Sequence, residues 1–366
     1  MKKVIPLLLF MSVFFVRPLS GQVDSLQAKY AVTDTQDVKV TLFDTDDLFE
    51  ISLKFDLNKY KRARSDTMYL DAVLTYHINK TDSISKNIKV RARGNIRRTA
   101  PEICDFPPLM LNFHMKDDVG TEFAGINKLK IVPYCKIGYE QYVLKEYLVY
   151  KLYNVLTDYS LRVRLFKITY LNSVKEKKPI IQFGFAIEPV SLMEKRTKTK
   201  ELNYAVTQRN LRPDMLDRTA IFNYMIGNPD WSVPIKHNVV LLTTAKIAPA
   251  NENLIVAYDF DYSGIVGTSY AIPFPNLPIK TVQERLYMAV CRTETEFTNA
   301  LNEFLEKKDE FYKVINDFPY LNEKSKKTMT NYLDGFFYGM DKRNSLLKKL
   351  LSDCLWFEDQ ANLKVR

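Results

Sequence analysis

Two hydrophobic periods share this chain, and the point where one yields to the other constrains its fold more than any other feature. Apolar and β-branched residues alternate or cluster in short runs at 38–43, 49–55, 68–78, 87–93, 109–115 and 128–133, which is the texture of strands. Within that strand-rich half, Leu144, Leu148, Leu152 and Leu156 recur four apart with Val149 and Tyr153 beside them, predicting one helix over 141–156. Strands over 162–171 and 179–189 follow. Beyond residue 215 the helical period dominates, at 218–226, 282–291, 294–315 and 324–351, with a hairpin of strands at 238–242 and 254–258 between. No repeat and no Gly/Ser or Pro linker divides the chain. The expectation is an α+β fold of two lobes, β-rich over 22–195 and mainly helical over 196–366.

Residues 1–21 read as a signal peptide. Lys2-Lys3 precede an apolar run from Val4 to Val16 that Arg17 ends before it is long enough to span a bilayer, and Ser20-Gly21 supply small residues for cleavage. Cleavage would remove three cations and no acid, lowering the net charge from +10 to +7. No later segment is apolar enough to span a membrane, so the expected product is exported, periplasmic or extracellular. Lysines and arginines are scattered among acids, which speaks against nucleic acid as a partner. The four cysteines are even in number and suit an oxidising compartment. Cys104 and Cys135 flank two predicted strands and are the natural pair, leaving Cys291 with Cys354; buried free thiols are the alternative. His77, His114 and His237 form no cluster with them, so zinc is not indicated.

Chemistry concentrates after the helix at 218–226. Gly227-Asn228-Pro229-Asp230-Trp231 is followed by His237-Asn238 and then by Tyr258-Asp259-Phe260-Asp261 closing the next strand. An Asp on a loop, an Asn a few residues on and a later Asp-X-Asp form a set that phosphoryl transfer can use: one carboxylate orients a hydroxyl, while the amide oxygen and later carboxylates hold a divalent metal. A structural turn and a solvated acidic pair explain the same residues. Trp231 reads as a packing anchor or a shield for the site. Tyr332, Phe336, Phe337 and Met340 read as a core stripe, and the proline-rich segment 273–278 as a stiff surface crossing or substrate-positioning loop.

Arg91-Ala92-Arg93-Gly94-Asn95 resembles the Arg-Gly-Asn motif of the spore-coat protein H kinase-like family. The strand pair ending in Gly184-Phe185-Ala186-Ile187-Glu188 resembles that family's, and Asp230, Asn238, Asp259 and Asp261 follow its active-site order. The resemblance covers most of 85–265 and implies an atypical protein-kinase-like two-lobed fold, with 188–192 as the hinge, that uses ATP with Mg or Mn to phosphorylate Ser/Thr hydroxyls of an envelope protein. Carried over, Asp230 orients the acceptor, Asn238 and Asp259 bind metal, and Asp261 is a second ligand or a structural partner. The chain departs from ordinary kinases in the eight-residue step from Asp230 to Asn238, where Asn228 or His237 could share the work. It also lacks a Gly-X-Gly-X-X-Gly loop. Phosphate contacts then fall to Arg91, Arg93, Lys128 or Lys130, with Glu146 as ion-pair partner of one of the lysines and Glu188 counted with the nucleotide-binding residues; a solvated strand face is the alternative for the basic groups. Scarcity of ATP outside the cytoplasm keeps a second function open: a catalytically inactive kinase-like protein that binds a ligand or an envelope partner.

Overall fold

The computed structural model describes residues 40–77, 81–113, 122–244 and 252–363. The expected signal peptide lies outside them. Alternation builds the first strands: in β1 (Phe49–Phe55) Ile51, Leu53 and Phe55 turn inward, and β2 (Leu70–His77) and β3 (Ser83–Ala92) repeat the pattern. A short helix α1 (Leu57–Ala63), capped by the Asp56 carboxylate on Lys59 N at 2.8 Å, joins β1 to β2. A single turn, α2 (Ile96–Thr99), follows β3, then β4 (Leu109–Asn112) and β5 (Lys128–Pro133). Helix α3 (Glu140–Leu156) interrupts the sheet before β6 (Val163–Asn172) and β7 (Ile180–Ile187) complete it.

These seven strands close into a barrel in the order β1-β2-β3-β4-β5-β7-β6. A ring of seven strands cannot be antiparallel throughout. The exception is the closing seam, where β1 and β6 run parallel from Phe49 opposite Phe166 to Phe55 opposite Asn172. Closure leaves no open edge for intermolecular pairing. Aromatic rings fill the interior, with Phe113 stacked on Phe123 at 5.0 Å and Phe106 against Tyr170 at 4.6 Å. The Cys104–Cys135 disulfide, Cα atoms 4.3 Å apart, ties the segment before β4 to the end of β5, as the strand positions suggested.

The second core lies outside the barrel. Helix α3 is apolar nearly all round, as a helix buried on several sides must be, and it lies between the barrel wall and the C-terminal helices. After β7 come α4 (Val190–Thr197), the short β8 (Lys200–Glu201), α5 (Pro213–Ile226), and strands β9 (Val239–Thr243) and β10 (Leu254–Ala257), which form a three-stranded sheet with β8. Four helices end the chain: α6 (Glu294–Glu306), α7 (Lys308–Asn316), α8 (Glu323–Asp341) and α9 (Arg343–Leu363). The mixed α+β architecture, β-rich first and helical after, matches the sequence texture. Phe336, Phe337 and Met340 are core, and Trp231 is a buried anchor. Among the described residues no helix is long and apolar enough to cross a membrane.

Three local expectations fail. The described part of 38–43 is a turn and not a strand. The long helical runs break at Lys307 and Lys342 into two helices each. Residues 282–291 form no helix, because side chains of other elements take their backbone groups: Tyr287 N donates to Asp353 Oδ2 at 3.2 Å, Val290 N to Gln208 Oε1 at 2.9 Å and Cys291 N to Glu358 Oε1 at 3.2 Å. The Cys291–Cys354 disulfide pins the end of that segment to α9.

Candidate active site

Helix α5 stops at Gly227, whose φ of +65° needs glycine and whose N–H closes on Asn223 and Tyr224 carbonyls. The chain that leaves it is held by amides: Asn228 Nδ2 donates to Asn223 Oδ1 at 2.8 Å, and Asp230 N donates to Asn228 Oδ1 at 3.1 Å. A tight bridge between Ser232 and His237 then folds the loop back on itself. That return places His237 Nε2 2.6 Å from Asp230 Oδ1, and Asn238 Nδ2 donates to Asp230 Oδ2 at 3.0 Å and to its carbonyl at 2.8 Å. Asp230 thus has both carboxylate oxygens engaged. Its hydrogen bond to His237 raises the imidazole pKa, a shift that burial opposes.

Asn238 and Asp259 are coupled through the hairpin. Tyr258 N donates to Asn238 O at 3.0 Å, and both Asn238 (φ +52°) and Asp259 (φ +63°) adopt the left-handed backbone that side chains other than glycine rarely take. Asp259 is locked there by Tyr150 of α3, whose hydroxyl accepts its N–H at 2.8 Å. Strain of this kind persists only where its surroundings over-determine it.

The centre of the site is a residue that sequence reasoning missed. Gly94 (φ +88°) turns the chain after Arg93, and α2 then projects Arg97 into the cleft. Its guanidinium lies 3.0 Å from Asp259 Oδ1, 3.4 Å from Asp261 Oδ2 and 3.4 Å from Glu146 Oε2. Tyr270 OH also donates to Asp261 Oδ2 at 2.9 Å. Burial raises the Glu146 and Asp261 carboxyl pKa values, with Arg97 pulling both down. Arg97 itself is held cationic, chiefly by Asp261 and then Glu146 against its own desolvation. The directions agree physically: one positive charge cannot satisfy three carboxylates. The signal for Arg97 was its place in the basic run just past the Arg-Gly-Asn motif.

The remaining candidates divide. Arg93 is half-buried beside Asp259, its pKa lowered by burial. Lys130 lies 5.6 Å over the Tyr258 ring and is likewise lowered by burial and then by Arg93, with Asp259 opposing. Glu146 has Arg97 and not a lysine as its cation. Lys128 is exposed at the start of β5, opposite Asn112. Arg91 sits over the Tyr69 ring at 5.4 Å. Glu188, buried at the mouth of α4, takes Arg196 Nη2 at 2.9 Å and Arg162 N at 3.0 Å, so its carboxylate is spent on tying the segment after β7 to the start of β6.

Donor chemistry suits a divalent cation. Glu146, Asp259 and Asp261 each offer an oxygen within 4.8 Å of the others, all hard ligands of the kind magnesium, manganese and calcium take. Asn238, with its Nδ2 turned to Asp230, keeps its amide oxygen on the other face.

No protein-family model matches this chain, and no curated protein does. Among solved structures it is similar to the Helicobacter pylori proinflammatory kinase CtkA, at 10% identity and a TM-score of 0.38, over 76% of this chain and 96% of that one. Likeness at that level decides nothing about chemistry.

Proposed function

We propose that this protein is an atypical kinase-like phosphotransferase, transferring the γ-phosphoryl of ATP to a Ser/Thr hydroxyl of an envelope protein. One observation carries the reading: a loop bearing Asp230, His237 and Asn238 converges with the acidic set Glu146, Asp259 and Asp261 and with Arg93, Arg97 and Lys130. Acids for a metal and cations for phosphate, gathered together, are what a nucleotide triphosphate and its metal need. A bound Mg or Mn, held by Asp259 with Asn238 or Asp261, would neutralise charge on the β- and γ-phosphates. Asp230 orients the acceptor oxygen for attack on the γ-phosphorus and receives its proton as the bond to the β-phosphate oxygen breaks. Arg97, and not Lys128 or Lys130, takes the place beside Glu146 from which a cation reaches phosphate; Arg93 and Lys130 line the same side.

Full engagement of the Asp230 carboxylate by His237 and Asn238 supports the second reading, a kinase-like protein that binds without transferring. Calorimetry with ATP and Mn2+ together with a γ-phosphate transfer assay separates the two. Asp259→Ala should abolish metal-dependent ATP binding, whereas Asp230→Ala should leave binding nearly unchanged and remove transfer, since the acid facing the acceptor acts in the transition state. Absence of ATP binding by the wild type refutes the first reading and leaves the binding of an envelope partner, and ATP binding without transfer also selects the second.

A further inference from the structure

Glu146 is 1% exposed, and its Oε1 has no hydrogen-bond partner although its Oε2 faces Arg97. A buried carboxylate oxygen left bare is costly unless something else occupies its neighbourhood in another state. Geometry points the same way: Arg97 is the cation in direct contact with all three carboxylates, so removing it leaves them facing one another. One oxygen of each carboxylate lies within 4.8 Å of the others, close enough for all three to close on one divalent cation.

We propose that Glu146, Asp259 and Asp261 form a divalent-cation site for which Arg97 is a built-in competitor, so that guanidinium and ion occupy the three carboxylates alternately. Arg97 supplies the counter-charge that lets an acidic cluster stay folded without metal. Its guanidinium points at all three carboxylates at once, so it must swing aside when they close on an ion. The α2 turn that carries it has four residues and borders Gly94, with Arg98 also bound there to the Gly94 carbonyl at 2.9 Å, so the movement falls on the Arg97 side chain and one short turn. The exchange stands on this geometry alone. Its consequence, that a displaced Arg97 becomes free to meet phosphate only after metal has bound, rests on the kinase reading.

The test uses the whole exported chain, Mn2+ or Ca2+ alone as probe, and no nucleotide, so it can fail or succeed independently of ATP binding. Affinity is read by calorimetry, and for Mn2+ also by electron paramagnetic resonance. Arg97→Gln should tighten Mn2+ binding by about tenfold or more, because the competing charge is gone. It should also lower Tm without metal and regain the loss when Mn2+ is added, by linkage. Glu146→Gln should weaken Mn2+ by about tenfold or more while keeping Arg97 in place; this variant decides the matter if Arg97→Gln is too unstable to purify. Mn2+ affinity unchanged by Glu146→Gln, or lowered in a folded Arg97→Gln protein, overturns the proposal.

Discussion

Gly227→Ala tests whether the loop carrying Asp230 is held by close packing against α8. A Cβ at this position would overlap the Tyr332 hydroxyl and come within 3.0 Å of Tyr332 Cζ and 3.1 Å of Val282 O. The same hydroxyl is wedged against Gly264 and donates to Gln283 O at 3.0 Å. Alanine at φ +65° costs about 1–2 kcal/mol for the left-handed backbone alone, and overpacking adds about 1–3 kcal/mol. The single substitution should therefore destabilise by roughly 3 kcal/mol. Tyr332→Phe alone should cost about 1 kcal/mol for the lost hydrogen bond, yet it removes the overlapping oxygen. In the Tyr332→Phe background, Gly227→Ala should therefore cost about 1–2 kcal/mol less than in the wild type, a coupling typical of residues in contact. Urea unfolding followed by tryptophan fluorescence measures all four corners of the cycle, with equal m-values required before midpoints are compared. Additivity within about 0.5 kcal/mol would refute the packing argument.

Replacing Cys291 and Cys354 together by Ala should cost about 4 kcal/mol, from the 63-residue separation of the bridge, and a Tm no lower than that of the oxidised wild type would contradict this. Glu188→Gln should lower stability by about 2–3 kcal/mol by weakening a buried ion pair but leave ATP affinity as it was; calorimetry showing weakened ATP binding in the folded variant would return Glu188 to the ligand site. Burial raises the folded pKa of Asp353, against Lys349 and Tyr287 N. The folded state therefore holds that proton more tightly, and the contribution of Asp353 to stability is greatest below the unfolded value of about 3.9 and is lost as pH rises through the folded one. Asp353→Asn should flatten that part of the pH–stability curve, and an unchanged slope would assign the effect elsewhere.

Local periodicity made most elements legible, because strands β1 and β5 and helix α3 carry their pattern in contiguous residues. What sequence could not reveal was decided by distant partners. Residues 282–291 carry a helical apolar pattern, yet Gln208, Asp353 and Glu358 claim their N–H groups. Barrel closure was invisible for a similar reason, since it depends on β1 meeting β6 across more than a hundred residues. In the candidate site, the order Asp230, Asn238, Asp259, Asp261 was readable because each lies close to a helix or strand end. Arg97 was not, since only the α2 turn, and no periodicity, aims it inward. Alternation placed Lys128 and Lys130 on one strand face, but it could not say that only Lys130 lies far enough along β5 to reach Tyr258.

The parallel seam governs how the barrel comes to exist. Six of its seven neighbour pairings join strands close in sequence or across one helix, while the seventh waits for Asn172 before Phe55 has a partner. A chain emerging from the N-terminus therefore carries β1 with one unpaired edge through the synthesis of β2, β3, β4 and β5. Such a high-contact-order closure is slow and leaves an apolar strand exposed to wrong partners while it lasts. Holding the nascent chain extended until β7 is available, as membrane translocation does, would let the ring form in one step from a complete set of strands.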